Sequence, residues 1–266
     1  MRRFSILLFL ILALLPVHPC HADKKDKKEA AQVYVLPEPD PLKTPSVPHM
    51  SAAPIPPVQP HVIHHVSTSS IYGIDVSHYQ GLINWQMVKT DKNASYVYIK
   101  ATEGAGYVDQ YYLRNLRGAK EAGIPVGVYH FFTPSASAMT QLKNFSDNVD
   151  LRHHDLAPII DVEKRGKGSL QQFVGRLAMF LEQIEKAYGV QPIIYTGQNF
   201  YNEYLAGSFL KYRFMIAKYQ EEPPMLVDNA KVVMWQFTSE GHVNGIRNNV
   251  DRSVFLDNYS LSDIKK

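Results

Sequence analysis

The sequence predicts an α/β fold, an irregular and incomplete (β/α) barrel of the TIM type, in a single domain. Short apolar runs alternate with amphipathic helical stretches, the order that produces parallel strands joined by crossover helices. Polar residues fall at or just past the carboxyl ends of successive runs: Asp75, Glu103, His130, Asp161 with Glu163, Thr196 and Gln236. An open doubly wound sheet satisfies the same alternation, but in a barrel those strand ends converge on one mouth. The late strands are short and no long helix separates Ala217 from Val232, so a complete eightfold barrel is not expected.

Strands are expected over Tyr72 to Val76, Tyr96 to Ala101, Pro125 to Phe132, Ala157 to Val162, Pro192 to Tyr195, Phe214 to Ala217 and Val232 to Phe237. The clearest helix starts at Ser169, with Gln172 completing a capping box. It carries Phe173, Leu177, Phe180, Leu181, Ile184 and Tyr188 on one stripe and stops before Gly189. Two further helices are expected, from about Asp109 to Ala122 before Gly123 and from about Ala136 to Val149.

The domain is preceded by two segments of different character. Arg2 and Arg3 followed by the apolar run Ile6 to Leu15 and the small-residue site at Cys20-His21-Ala22 read as an export signal, residues 1–22, too short for a comfortable membrane span. Lipidation at Cys20, the only cysteine, is the alternative to cleavage after Ala22, and His18 and Pro19 fit it badly. Residues 23–70 are a lysine-rich cluster followed by nine of the seventeen prolines, and read as a disordered, extended linker. His61, His64 and His65 in it are too weak a signal for a metal site. Residues 71–266 are the expected catalytic domain, exported to the periplasm, the cell envelope or the medium.

The net charge of +3 barely touches that domain, because residues 1–70 hold seven Lys/Arg against five Asp/Glu and leave 21 against 20 for the rest. Nucleic acid binding has no support in such a balance. Chemistry is signalled instead by Asp161-Val162-Glu163 at the end of an apolar run. Residues at i and i+2 of a strand share a face, so both carboxylates project together, and like charges that close raise one of the two pKa values. A proton donor beside a carboxylate is the equipment of glycosidic bond cleavage. The bland reading is a strand-end pair neutralised by Lys164 and Arg165, which follow at once.

Six segments in order carry a family resemblance: Tyr72 to Gly81 (YGIDVSHYQG), Ile99 to Gly104 (IKATEG), Gly127 to Phe132 (GVYHFF), the Asp161-Val162-Glu163 strand, Trp235 to Ser239 (WQFTS) and Val250 to Phe255 (VDRSVF). Together they resemble glycoside hydrolase family 25, the Chalaropsis-type lysozymes, across residues 71–256. The resemblance implies an irregular (β/α) barrel that cleaves the β-1,4 bond between N-acetylmuramic acid and N-acetylglucosamine in the glycan strands of peptidoglycan. It implies Glu163 as general acid and Asp161, Asp75 and Asp251 as the other acidic residues of the site. Asn84 stands where many relatives have Asp, and Phe214-Met215 replaces a frequent aromatic strand start; neither touches the carboxylates.

Asp75 could otherwise cap a turn through Ser77, and Asp251 could be an ordinary loop acid. Substrate-binding roles are assigned to Tyr79, Glu103, Tyr107, Tyr129, His130, Tyr195, Trp235 and Gln236, since sugar rings present apolar faces to aromatic planes. His130 serves equally well as a satisfied core histidine. Asp161 has two possible roles, nucleophile or orienter of the substrate's own 2-acetamido group, and the D-x-E spacing shared with chitinase-like enzymes favours the second. A monomer without metal or other cofactor is expected. The competing readings are a chitinase or endo-N-acetylglucosaminidase using the same chemistry, and a non-catalytic wall-binding module. Asn93, Asn144 and Asn258 begin sequences that match glycosylation sites.

Overall fold

The computed structural model describes residues 64–67 and 71–266. The expected signal segment and most of the linker lie outside the described residues. Nine strands form one sheet: β1 (Tyr72–Val76), β2 (Tyr96–Glu103), β3 (Tyr107–Val108), β4 (Val126–Phe131), β5 (Ile159–Asp161), β6 (Ile193–Gly197), β7 (Arg213–Ala217), β8 (Lys231–Gly241) and β9 (Val250–Phe255). Their order is β1-β9-β8-β7-β6-β5-β4-β2-β3, and β1 also pairs with β2, so all but β3 close into a barrel.

The barrel is irregular in its helices and in one strand direction rather than in its closure. Helices α1 (Trp85–Thr90), α2 (Tyr112–Glu121), α3 (Ala138–Asn148) and α4 (Leu170–Tyr188) are the crossovers between β1 and β6. After β6 there is only a short helical piece, Gln198–Phe200, running into a π-helical turn, Tyr201–Leu205. No helix joins β7 to β8. Parallel strands need a crossover, whereas antiparallel ones need only a loop. The loop after β8 accordingly returns the chain as β9 antiparallel to both β8 and β1.

Helix α4 has the expected ends: Ser169 and Gln172 form the capping box, and Gly189 closes it in the left-handed conformation at φ 66°. Its stripe of Phe173, Leu177, Phe180, Leu181 and Ile184 is buried against the outside of the barrel. The helix expected from Asp109 begins later, at Tyr112, because the Asp109 side chain is used elsewhere. Strand β9 and the short helix α1 carry no strong periodicity and were not expected as elements.

Period-two alternation divides the strands between two apolar layers. Outward residues such as Ile74, Ile99, Val128, Ile160, Ile194 and Phe214 pack under the helices. Inward residues Tyr96, Tyr98, Ile159, Ile193, Met215, Met234 and Phe255 fill the barrel floor with Ile264 from the C-terminal turn. Two glycines make room for the floor tyrosines: a Cβ on Gly73 would lie 2.1 Å from the Tyr96 ring, and one on Gly127 2.2 Å from Tyr98. The hydroxyls are satisfied, Tyr96 with Ser253 Oγ at 3.0 Å and Tyr98 donating to Ala157 O at 3.1 Å.

Four residues inside the expected linker are described. His64–Ser67 dock on the domain: Val66 bridges Leu256, Ser67 N donates to Phe255 O, and Asp257 N donates to His65 O. His64, buried, bonds Asp257 Oδ2 through Nδ1 at 2.8 Å. Ring and backbone partners hold these residues where composition alone suggested disorder. Asn144, in one of the sequon matches, is also buried, and its amide donates to Glu103 O, Gly104 O and Tyr107 O. It pins the β2–β3 turn and is not available for glycosylation in the folded chain.

Candidate active site

At the carboxyl ends of the parallel strands the inward face changes from apolar to ionisable. A cavity of about 210 Å³ is lined there by Asp75 of β1, Lys100 of β2, Tyr129 and Phe131 of β4, Ile159 and Asp161 of β5, Glu163, Tyr195 of β6, Met215 of β7, Gln236 of β8 and Asp251 of β9. Residues up to 176 positions apart thus meet because eight strands share one mouth, seven by their carboxyl ends and antiparallel β9 by its first residues. Asp161 ends β5 and Glu163 lies two residues past it, and both line the cavity.

Gln236 is oriented from both ends of its amide. Oε1 accepts from Tyr195 Oη at 2.8 Å and from Tyr219 Oη at 2.7 Å, which turns Nε2 to donate to Asp75 Oδ2 at 3.1 Å. The turn after β1 is capped by Ser77 with Gln80, which leaves Asp75 free to face the cavity. Asp251 lies opposite Asp75 in the β1–β9 pairing.

Four carboxyl groups in so small a space cannot all ionise cheaply. Burial, followed by the charge of Asp251, pushes Asp75 up to about 8, against the opposing bond from Gln236. Burial, followed by Glu163, pushes Asp251 up to about 6. Asp161 is raised by burial first and by Glu163 second. Glu163 is also raised, by partial desolvation of its carboxyl at the cavity although the residue as a whole is exposed, and not by its acidic neighbours as the sequence suggests; Lys164 and Lys100 pull the other way. Asp161 Oδ1 is buried and has no hydrogen-bond partner in the protein.

The other sequence-assigned residues divide three ways. Tyr129, Tyr195 and Gln236 line the cavity. Glu103 stands beside it, paired with Lys100 Nζ at 2.6 Å, while Tyr79 and Tyr107 are exposed and outside the cavity lining. His130 and Trp235 do not reach the mouth, and their assignment to substrate binding is corrected. Each sits one residue out of phase with an inward neighbour and faces away from the cavity. The His130 ring bonds Thr102 Oγ1 at 2.7 Å and Gln141 Oε1 at 3.2 Å and packs on Phe145 and Phe180. Burial lowers its pKa to about 4, so it is a neutral core histidine. Trp235 donates Nε1–H to Lys218 O at 2.8 Å and packs on Phe237.

Lys100, Phe131, Met215 and Tyr219 were missed. A signal existed for Lys100: it continues the inward series Tyr96, Tyr98 of β2, and a lysine in phase with a barrel interior is buried only for a partner. Tyr219 had no such signal, because it lies beyond β7 and reaches Gln236 only through the tertiary fold. Among the described residues no cluster of His, Cys, Asp and Glu could hold a metal ion, and no helix is long and apolar enough to cross a membrane.

Known proteins resemble this chain in sequence and in structure. YegX of Escherichia coli strain K12 is 38% identical over 205 residues, 75% of this chain and 74% of YegX. Lysozyme M1 of Streptomyces globisporus is 33% identical over 202 residues, 71% of this chain and 68% of the relative. The solved structure of a family 25 glycosyl hydrolase from Bacillus anthracis superposes with a TM-score of 0.67 at 30% identity, covering 77% of this chain and 97% of the other. The model of glycosyl hydrolases family 25 matches residues 74–246, from β1 through the loop that precedes Asp251. Barrel closure, the acidic mouth and these matches agree: the chain belongs to glycoside hydrolase family 25.

Proposed function

We propose that this chain is an exported N-acetylmuramidase that cleaves the β-1,4 bond from N-acetylmuramic acid to N-acetylglucosamine in peptidoglycan. The observation that carries the residue assignment is the pairing of a raised Glu163 with a buried Asp161 in one cavity. Glu163, whose pKa is raised, donates a proton to the leaving glycosidic oxygen as the oxocarbenium-like transition state develops. It then accepts a proton from the incoming water.

Asp161 acts by orienting the 2-acetamido group of the substrate, whose carbonyl oxygen attacks the anomeric carbon with retention. Its unpartnered Oδ1 supports this role, since a buried acceptor without a donor is costly and the acetamido N–H supplies one. Asp75, protonated near neutral pH and fixed through Gln236, and Asp251, close to half-ionised near pH 6, shape the polar wall around the reacting sugar.

Mass spectrometry of digested peptidoglycan tests the bond: reducing-end muramic acid is expected, and reducing-end glucosamine would make the enzyme an endo-N-acetylglucosaminidase. The role of Asp161 is tested with activated 2-fluoro sugars. No covalent adduct should form, and a thiazoline mimic of the cyclised acetamido group should bind tightly and lose affinity in Asp161→Asn. An adduct located on Asp161 would make it the nucleophile.

A further inference from the structure

Outside the cavity, one buried acid holds a half-buried ring. The side chain of Asp109 is fully buried, and its Oδ2 accepts from His78 N at 3.1 Å and from His78 Nδ1 at 2.6 Å. Oδ1 accepts from Tyr111 N at 2.9 Å. Because Oδ2 already accepts a backbone N–H, the ring nitrogen facing it is a donor, which fixes the imidazole in one orientation. Tyr79 lies on that imidazole with centroids 4.1 Å apart, and Tyr107 flanks it at 6.3 Å with its hydroxyl 3.2 Å from Nδ1. Tyr79 is 71% exposed and Tyr107 43% exposed, so neither ring supports the core. Their backbones are nonetheless tied down: Asn248 Nδ2 donates to Tyr79 O, and Asn144 Nδ2 to Tyr107 O.

The cluster is continuous with the mouth. His78 follows β1 three residues after Asp75, and Tyr107 pairs with Glu103 at the end of β2. Lys100, part of the cavity wall, places its ammonium 5.4 Å from the Tyr107 ring centre. Rigid exposed rings with polar edges, lying against a carbohydrate-cleaving cavity, match a pyranose, which is apolar on its faces and hydroxylated at its edge.

We propose that His78, Tyr79 and Tyr107, held by Asp109, form a platform that binds a pyranose ring of the glycan strand outside the two sugars flanking the cleaved bond. This rests on the muramidase reading and adds a chain-length preference to it. Octasaccharide and tetrasaccharide of alternating N-acetylglucosamine and N-acetylmuramic acid are the probes. The unmodified protein should favour the octasaccharide in kcat/KM. Tyr79→Ala should raise KM for the octasaccharide by about tenfold with kcat little changed, so that the preference collapses, and Tyr79→Trp should restore it.

Titration of octasaccharide into Glu163→Gln, with and without Tyr79→Ala, should show the same loss without turnover. Equal loss on both substrates, or a length preference that survives Tyr79→Ala and Tyr107→Ala, would overturn the platform while leaving the muramidase reading intact. Failure of the unmodified protein to cleave either substrate would overturn that reading, and the platform with it.

Discussion

The two ends of the barrel interior are built from the same strands in the same inward phase, yet one is a packed floor and the other a site. On β1, Gly73 faces the floor and Asp75 the mouth; on β2, Tyr96 and Tyr98 precede Lys100; on β9, Phe255 and Ser253 face the floor and Asp251 the mouth. At the floor every polar atom of the tyrosines has a protein partner. At the mouth, carboxyl groups are crowded, raised and in part unpartnered. One register step of two residues therefore separates groups that hold the barrel together from groups destabilised for chemistry, a division expected where stability and function compete.

The largest expected effect breaks the mouth and leaves the floor untouched. Glu163→Gln should keep the fold and glycan binding and lower turnover by about 10²- to 10⁴-fold, as loss of a general acid does. Wall-clearing assays with thermal unfolding as a control check this, and near-normal clearing would remove Glu163 from the mechanism. The converse change strikes the floor. Gly127→Ala or Gly73→Ala places a methyl inside a tyrosine ring's contact distance and should destabilise by about 1–3 kcal/mol. Urea midpoints give the measurement, and activity below the new midpoint should survive.

The pH dependence of stability separates the ends again. Asp75 is raised from 3.8 to about 8 on folding, so between those values the native state binds a proton that the unfolded chain has released. Its contribution is fully present below pH 3.8 and is lost as pH rises toward 8, so stability should fall across that window. Asp251, Asp161 and Glu163 add slope of the same sign. Asp75→Asn should flatten the slope and raise the melting temperature at pH 8 relative to the parent, whereas Gly127→Ala should shift the whole curve without flattening it.

The smallest effect lies below the floor and outside the barrel. A chain beginning at Ile71 loses the His64–Ser67 contacts with Phe255 to Asp257, worth about 1–3 kcal/mol for a few hydrogen bonds at the surface. Its melting temperature should drop by several degrees with unchanged cleavage of short glycans. A chain beginning before His64 should retain the parent value. Loss of short-substrate cleavage in the Ile71 chain would show that the segment supports the mouth itself.

The strand and helix sequence was legible wherever local chemistry agrees with the fold. Helix α4 could be read from cap to cap because Ser169, Gln172 and Gly189 act on neighbouring backbone. Strands β1, β4 and β7 were placed within a residue at each end, because their runs are apolar on both faces, as buried parallel strands are. The Asp161–Glu163 pair was legible because two carboxyls follow at once on a buried apolar run, and the family resemblance carried Asp75 and Asp251.

Other features depended on the tertiary structure alone. Whether His130 or Tyr129, and Trp235 or Gln236, faces the cavity is a phase decision set by pairing register, and a one-residue difference inverts the answer. Barrel closure depended on β9, whose antiparallel return follows from a missing crossover rather than from any periodicity of its own. The docking of His64–Ser67 arises from partners almost 200 positions away in sequence, which no local composition encodes. What the sequence determines by itself is the set of elements and the chemistry available on each. Which of those groups desolvate one another, and so acquire raised pKa values, is decided only when the eight strands of the barrel close around the same small volume.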